Sequence, residues 1–515
     1  MKNQILKINW PQAISVAVLS LIVSLPTAAS ASDRPNILWI VVDDMSANFS
    51  CYGEDLIQTP AVDQLAAEGV RFTNAFVTAP VCSPCRSAFI TGMYQTSIGA
   101  HHHRSGRGEL RIHLPEGIEV VPAIFQRAGY YTCIGNGLKA NKPASRKKKP
   151  GAGLGKTDYN FEWDTSVYDD NDWEGRGADQ PFFMQVQLAG GKLRGGTSTA
   201  AASLQQKAEE EFGGCIDSES VTLPPYYPRD PVLLQDWAAY LDTVRFTDQH
   251  VGKVIQRLRD EGILDQTLII FMTDHGISHA RGKQFLYNEG THVPFIVRGP
   301  GIPAGRVRDD LIEHIDMAAI SLGAAGLDVP AWMQGQDVFS TEYQTRTAVF
   351  AARDRCDETV DYIRSVRTND YLYIRNFLPQ RPHLQPNAYK DGKSIIQTLR
   401  RLHSNGELSE LSERLLFSEE RPVEELYAWK QDRWNLINLA GSPMHADALK
   451  NLRERLEQWQ MDTNDHGPES MAMYDSDMSV YTTARVAKGL NQNSNEEDIT
   501  LKNIRLMKKW ASEGK

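Results

Sequence analysis

The chain has 515 residues, of which 41% are hydrophobic and 23% charged, and its formal net charge is −10 at pH 7. This length exceeds that of one simple domain, so we expect one large core with a smaller unit appended to it. The negative charge argues against nucleic acid or an anionic membrane as a partner, because both usually require a basic surface, but a locally positive cleft could still take an anionic substrate.

The N-terminus is typical of a secretory signal peptide. Lys2 and Lys7 precede an apolar run over 13–26, and the small residues at 29–31 favour cleavage after Ala31. The run is too short for a stable membrane span, and no later stretch reaches the roughly 20 apolar residues that a span requires. We therefore expect an exported protein, periplasmic or secreted, without a membrane anchor.

An apolar run over 36–42 predicts a buried parallel strand that ends in Asp43 and Asp44. In open α/β sheets ligands bind beyond the carboxyl ends of the strands, so these two carboxylates stand where a site would form. For an isolated Asp-Asp pair, a solvated turn or a helix cap is the alternative interpretation. Next along the chain, a helix is predicted from Pro60, with Thr59 as its cap.

The segment from Val81 to Gly92, VCSPCRSAFITG, carries the most specific pattern of the chain. It combines a C-x-P-x-R core, whose cysteine is Cys82 and whose arginine is Arg86, with a Thr-Gly pair downstream. The bare spacing of Cys82 and Cys85 could also be redox-active or half of a zinc site, but no second close Cys or His pair accompanies it. The whole segment closely resembles the signature of the formylglycine-dependent (type I) sulfatases of the alkaline phosphatase superfamily, in which the cysteine is converted to an aldehyde.

A basic and histidine-rich loop follows this segment. We weigh contact of His101, His103 and Arg104 with a sugar or sulfate group against plain surface exposure. Adjacent side chains on one segment seldom converge on one ion, which disfavours a transition-metal site there. Further on, the basic run over 146–149 is predicted to be a solvated loop.

A second strand end repeats the first pattern. An amphipathic stretch over 236–259 predicts a helix, and the apolar run over 268–273 then predicts a buried strand that ends in Asp274 and His275. Two such pairs at one sheet edge would form a site for a hard cation, and Ca²⁺ suits carboxylate-rich coordination better than Mg²⁺. The resemblance to sulfatases implies the same metal ligands: Asp43, Asp44, Asp274, His275 and the modified Cys82.

The resemblance also implies which residues surround the sulfate group. Arg86 would hold the hydrated formylglycine, and Lys283 lies in a stretch similar to the one whose lysine reaches the sulfate. We assign the role of a further family lysine to Lys156, with Lys139 as the alternative. Such cations would neutralise the charge that grows on the sulfate oxygens during the reaction.

Two histidines of the family pattern are missing from this chain. Asp158 stands at the place of one, and Lys192 at the place of the other. The proton donor to the leaving oxygen therefore stays open between Lys192 and His279, the latter because an imidazole ordinarily titrates near neutrality. For His279, a surface loop histidine is the alternative interpretation.

The resemblance implies an α/β fold with a large mixed, mostly parallel sheet flanked by helices and a smaller C-terminal α+β subdomain. We expect the catalytic domain over 32–345, the subdomain over 346–480 and a polar tail over 481–515. The implied activity is hydrolysis of sulfate esters on a sulfated carbohydrate. The implied partners are that carbohydrate and the formylglycine-generating enzyme that would mature Cys82.

Two other functions stay open. A phosphodiesterase or phosphonate hydrolase of the same superfamily would also place a tetrahedral anion over a cation. A degenerate protein that binds sulfated glycans without turnover would account for the displaced histidines, but the retention of Cys82, Arg86 and the four metal positions argues against it.

Overall fold

The computed structural model describes Met1 and residues 34–139, 155–487 and 498–515. The predicted signal peptide, apart from Met1, and the predicted solvated loop over 146–149 lie outside the described residues. None of the helices within the described ranges combines the length and the apolar character needed to cross a membrane.

The larger part of the described chain is built on a seven-stranded sheet with the order β3-β4-β1-β5-β6-β2-β7. Among these strands only β6 runs antiparallel to its neighbours, and all other pairs are parallel. This arrangement confirms the predicted mixed, mostly parallel sheet. The strands are β1 Asn36–Val42, β2 Val70–Phe76, β3 Tyr131–Gly135, β4 Phe182–Leu188, β5 Thr267–Thr273, β6 Phe295–Arg298 and β7 Arg306–Glu313.

Helices cover both faces of this sheet. They are α1 Pro60–Glu68, α2 Cys82–Thr91, α3 Val121–Arg127, α4 Ser198–Phe212, α5 Pro231–Asp260, α6 Asn288–Thr291 and α7 Asp316–Ala324.

Strand β1 is buried on both faces, which explains its uninterrupted apolar sequence. Leu38, Ile40 and Val42 pack in a core with residues of α1 and α5. The alternate residues of the strand pack in a second core with residues of α2, α3 and α7. In the parallel register Val42 pairs with Thr273, so β1 and β5 end at the same level of the sheet.

Helix α1 begins at Pro60 as predicted, but Thr59 does not cap it with its side chain. The Thr59 hydroxyl instead donates to Asp63 Oδ1 (3.0 Å) and accepts from the Ser50 amide (2.9 Å). The carboxylate of Asp248, on α5, accepts from the amides of Ala61 and Val62 at 3.2 and 2.8 Å. A side chain from a distant helix therefore satisfies amides that a local cap would otherwise take.

A second, antiparallel sheet forms the C-terminal subdomain, with the order β11-β10-β9-β8. Helix α11 packs on it through Leu452, Leu456 and Trp459. Its strands are β8 Val349–Arg353, β9 Ile363–Arg367, β10 Leu372–Asn376 and β11 Glu424–Tyr427. The later helices are α8 Ala388–Asp391, α9 Ser394–Ser404, α10 Glu410–Ser412, α11 Ala446–Asp462, α12 Met471–Ala487 and α13 Ile499–Ser512.

Where a polar tail was predicted over 481–515, the structure has the end of α12 and the whole of α13. Tyr474 and Met478 of α12 form a small apolar cluster with Ile504 and Met507 of α13. The apolar residues of this mostly polar segment recur at helical spacing, which gives α13 one buried stripe.

Candidate active site

Two adjacent parallel strands bring the four predicted metal ligands to one edge of the sheet. Asp43 and Asp44 follow β1, Asp274 and His275 follow β5, and all four side chains are buried. The Asp44 amide donates to Asp274 Oδ1 at 3.1 Å, which ties the two strand ends together.

Cys82 is the first residue of α2, and this helix begins beneath those carboxylates. Its Sγ lies 3.2 Å from His275 Nε2 and 3.9 Å from Asp44 Oδ1. The amides at a helix N-terminus give the position a positive potential, which favours an anion there.

Three lysines surround the Cys82 thiol. The Nζ of Lys283 lies 3.2 Å from Sγ and 2.9 Å from Asp44 Oδ1, and the Nζ of Lys192 lies 3.6 Å from Sγ. Lys156 Nζ donates to Asp43 Oδ2 at 2.9 Å. Burial alone would raise the pKa of Cys82, but the charges of Lys283, Lys156 and Lys192 hold it well below its ordinary value. The site is therefore built to stabilise negative charge at the Cys82 side chain.

Arg86 lies one helical turn after Cys82, and its buried guanidinium joins the elements of the site. It donates to Asp43 and to Asp274 Oδ2, the latter at 3.2 Å, and it also contacts Gln187 and the carbonyl of Lys156 (3.2 Å). Strands β1, β4 and β5 are thereby fixed to α2 at the point where they end.

The donor set fits a hard divalent cation. Donor atoms of Asp44, Cys82 and His275 lie within 4.8 Å of one another, and Asp43 and Asp274 add carboxylates at the same edge. Burial, with the neighbouring charges of Asp43 and Cys82, raises the pKa of Asp274 to about 7. A bound cation would compensate the negative charge of the ionised Asp274 and its neighbours, and carboxylate oxygens are the ligands that Ca²⁺ prefers.

A cavity of about 310 Å³ opens above Cys82. Lys156, Lys192 and Lys283 line it, together with the predicted substrate residues His103 and Arg104. Its cationic floor is the kind of surface that an anionic group requires. A second group of lining residues is acidic: Asp158, Asp357 and Glu358.

The structure separates the histidines of the loop that follows α2. His103 Nδ1 lies 3.1 Å from Asp357 Oδ1 at the cavity, and the side chain of Arg104 is 46% exposed beside it. His101 does not line the cavity; its buried ring donates from Nε2 to the carbonyl of Gly467 at 2.6 Å.

His279 also lies away from the cavity lining, and it is buried, not a surface loop residue. Its Nε2 lies 2.7 Å from Asp236 Oδ2, and its ring packs against Tyr227 and Trp237. Burial lowers the pKa of His279 to about 4 despite the partner carboxylate. Lys139, the alternative to Lys156, is 3.7 Å from Glu261 and does not line the cavity.

Two tyrosines that line the cavity, Tyr389 and Tyr481, were not predicted from the sequence. The hydroxyl of Tyr389 donates to Asp44 Oδ2 at 3.3 Å, and the hydroxyl of Tyr481 donates to Asp357 Oδ1 at 2.9 Å. These residues stand in polar segments without a motif, so only the packing of the C-terminal part against the large sheet brings them to the site.

Two family models match the chain. The model described as Sulfatase matches residues 35–327, and the model described as N-sulphoglucosamine sulphohydrolase, C-terminal, matches residues 275–382.

Curated relatives extend over most of the chain. It is 31% identical over 472 residues to an ulvan-active sulfatase of Formosa agariphila, which covers 84% of this chain and 76% of the relative. It is 26% identical over 479 residues to the N-sulphoglucosamine sulphohydrolase of Homo sapiens, which covers 84% of this chain and 91% of the relative.

Solved structures share the fold. A 2-O GAG sulfatase aligns with a TM-score of 0.59 at 17% identity, covering 86% of this chain and 96% of that structure. A phosphonate monoester hydrolase of Agrobacterium radiobacter aligns with a TM-score of 0.56 at 17% identity, covering 84% of this chain and 96% of that structure. The fold is therefore common to enzymes that act on different anions.

Proposed function

The chain belongs to the sulfatase family, and on this premise we propose that it hydrolyses sulfate esters of a sulfated carbohydrate with a formylglycine made from Cys82 and a bound calcium ion. The observation that carries the proposal is the surrounding of Cys82. Its Sγ stands at the start of α2, within 3.6 Å of the Nζ atoms of Lys192 and Lys283, on the floor of a cavity of about 310 Å³.

The proposed nucleophile is the hydrate of formylglycine at position 82. One hydroxyl of that hydrate would attack sulfur and release the alcohol, and the second would help to expel the sulfate afterwards. Arg86 and the three cavity lysines would hold the reacting group and neutralise charge on the sulfate oxygens.

We propose that calcium is held by Asp43, Asp44, Asp274, His275 and the modified Cys82. When bound, the ion supplies Lewis acidity to the sulfate oxygens and lowers the pKa of the hydrate. The carboxylates of Asp43, Asp44 and Asp274 at the ends of β1 and β5 support this assignment, because all three are buried at one site.

Lys192 is the first of the two proposed proton donors. Its Nζ lies between Cys82 Sγ (3.6 Å) and Asp43 Oδ2 (2.6 Å), and it lines the cavity in which the leaving oxygen would lie. His279, the second, would have to act through other groups, because its Nε2 is bonded to Asp236.

The proposed substrate is a sulfated carbohydrate of which one sugar unit lies in the cavity. About 310 Å³ lies at the small end of the roughly 300–1,000 Å³ that ligand pockets span, which suits one sugar unit with its sulfate group. The names of two relatives supply the first candidates, ulvan and N-sulphoglucosamine. In the second the sulfate group is on nitrogen, so the same attack on sulfur would release an amine instead of an alcohol. We also propose that the N-terminal signal peptide directs export of the protein and is then removed.

The first experiment is to produce the protein with a formylglycine-generating enzyme and to measure the mass of the tryptic peptide that contains Cys82. Conversion of the thiol to the aldehyde lowers this mass by about 18 Da. The converted protein is then assayed on ulvan oligosaccharides, on N-sulfoglucosamine and on paired aryl sulfate and phosphonate esters, with Cys82→Ala as the inactive control. Sulfate release by the converted protein supports the proposal.

Three results would contradict it. An unmodified thiol despite a competent maturation system excludes the nucleophile. Faster turnover of the phosphonate ester than of the sulfate ester favours the hypothesis of a phosphonate hydrolase, a kind of enzyme with which this chain shares its fold. Glycan binding without sulfate release by a fully converted protein favours the non-catalytic reading.

A further inference from the structure

Helices α12 and α13 lie outside the residues matched by the two family models, which end at 382, yet they reach the cavity above Cys82. Tyr481 of α12 and Thr500 of α13 both line that cavity. The helix pair therefore contributes to the wall of the substrate site.

Helix α12 is anchored to two other parts of the molecule. On the side of the loop after α2, the carboxylate of Asp477 accepts from the amide of Arg107 at 3.1 Å, and the hydroxyl of Ser476 accepts from the amide of Leu110 at 2.9 Å. On the side of the small sheet, the buried guanidinium of Arg355 donates to Asp477 at 2.7 Å.

Helix α13 adds a second attachment to the small sheet. Asn503 Nδ2 donates to Glu358 Oε1 at 2.8 Å, and Val360 packs against the apolar cluster shared by α12 and α13. The side chains that face the cavity from this wall are thus held by buried polar and apolar contacts, not left on a free end of the chain.

Tyr481 completes a polar network on the cavity wall. Its hydroxyl donates to Asp357 Oδ1 at 2.9 Å, and the same oxygen lies 3.1 Å from His103 Nδ1 and 3.9 Å from Arg104. These three partners surround one oxygen of the carboxylate. A carboxylate offers about four acceptor positions, and among the described residues the other oxygen, Oδ2, has only the weakly donating Cys356 thiol at 3.9 Å, so Asp357 keeps acceptor capacity for a ligand in the cavity that it lines.

We infer that the α12–α13 pair is a specificity element for the proposed reaction: Tyr481 fixes Asp357 so that this carboxylate accepts hydrogen bonds from hydroxyl groups of the sugar, while the sulfate group lies on the lysines at Cys82. The inference rests on the proposed activity toward a sulfated carbohydrate. Tyr481 is a positioning residue in this scheme, and its effect depends on the sugar and not on the sulfate.

Two classes of sulfate ester separate these contributions. An aryl sulfate such as 4-nitrophenyl sulfate presents the sulfate group without sugar hydroxyls, and an ulvan oligosaccharide presents both. In the full-length, converted protein, Tyr481→Ala is expected to lower kcat/KM for the ulvan oligosaccharide about tenfold more than kcat/KM for the aryl sulfate, mainly through KM. Tyr481→Phe keeps the ring and should show a smaller loss of the same kind.

Val480→Ala is the matched control, because Val480 precedes Tyr481 on α12 and is 39% exposed. It should match the wild type on both substrates, and the melting temperatures of all variants should be compared. At an unchanged melting temperature, the inference would be overturned if Tyr481→Ala lowered kcat/KM by the same factor on both substrates, or lowered it on neither. A wild type that cleaves the aryl sulfate but none of the sugar sulfates defeats the proposed function itself, and that result is visible before any variant is made.

Discussion

Lys192 is the first of the two proposed proton donors, and the resemblance to sulfatases places it where that family usually has a histidine. If it donates the proton to the leaving oxygen, Lys192→Ala should lower kcat for a sugar sulfate by about 10²–10⁴-fold. The same variant should lower kcat for 4-nitrophenyl sulfate much less, because nitrophenolate leaves without a proton. The ratio of kcat for the sugar sulfate to kcat for 4-nitrophenyl sulfate therefore measures proton donation by Lys192. This effect on kcat differs from the effect on KM that we expect at Tyr481.

His279→Ala is the comparison for that experiment. His279 is hydrogen-bonded to Asp236 and does not line the cavity, so the variant should lose thermal stability and keep the ratio of kcat values of the wild type. If His279→Ala instead shows the leaving-group dependence and Lys192→Ala does not, the two assignments have to be exchanged.

Asp158 contributes a pH-dependent part of the stability. Burial raises its pKa, but Arg107, whose guanidinium donates to it at 2.6 Å, and His103 lower the pKa to about 2. The folded pKa lies below the unfolded value of about 3.9, so this stabilisation is present above pH 4 and is lost as the pH falls through 2. Because Arg107 is partly exposed, we expect Asp158→Asn to cost on the order of 1 kcal/mol at pH 5.

The measurement is the free energy of unfolding in urea at pH 5 and at pH 3 for the wild type and for Asp158→Asn. The difference between the two proteins should narrow toward pH 3. A difference that stays constant over this range would show that the Arg107 pair does not set the pKa of Asp158.

At the residue level, the sequence predicted the residues on the floor of the cavity, and on its wall it predicted His103 and Arg104 but not the residues from the C-terminal part of the chain. Cys82 and Arg86 share one motif, and the carboxylates follow apolar strands, so local patterns were sufficient to group them. Tyr389, Tyr481 and Asp357 come from segments about 300 to 400 positions later in the chain. No local period or spacing marks such residues, because tertiary packing alone brings them to the site.

The chain just after β4 makes a close backbone contact with the end of β1 at the site. A Cβ placed on Gly191, just after β4, would lie 2.1 Å from the carbonyl oxygen of Asp44. Gly191→Ala should therefore displace the end of β1 with its two carboxylates. We expect a loss of activity of about tenfold to a hundredfold together with weaker calcium affinity, since a shift of about 1 Å at a site can cost about 100-fold in rate.

Gly214→Ala is the control for this substitution, because a Cβ on Gly214 meets no atom within 4 Å. Calcium titration followed by thermal unfolding compares the two variants. Wild-type calcium affinity in Gly191→Ala would mean that the β1 end yields without moving its carboxylates.

The elements themselves were predictable to different degrees. The buried strands β1 and β5 and the long helix α5 follow directly from apolar runs and an amphipathic period. Helix α13 was predicted as part of a polar tail, because 14 residues with a narrow apolar stripe resemble a solvated segment until their partner α12 is known. The cap of α1 by Asp248 was also beyond local patterns, since its donor and acceptor lie 186 positions apart.

At the scale of the whole molecule, the proposed calcium ion would join the ends of two central strands to the start of α2. A ligand that binds only the folded state adds about 2.7 kcal/mol of stability at 100 times its Kd. Removal of metal with a chelator should therefore lower the melting temperature and abolish sulfate release, and both should return with Ca²⁺ more fully than with Mg²⁺.

Asp274→Asn tests whether this effect belongs to the proposed site. The change keeps the size of the side chain and removes one buried carboxylate that lies against Arg86 and the Asp44 amide. The variant should fold, yet its melting temperature should respond to Ca²⁺ much less than that of the wild type, and its activity should be lost at ordinary calcium concentrations. An unchanged response of the melting temperature to Ca²⁺ in this variant would place the ion elsewhere. Full activity of the wild type after chelation would exclude calcium from the mechanism, and Arg86 and the lysines alone would then hold the carboxylates at the strand ends.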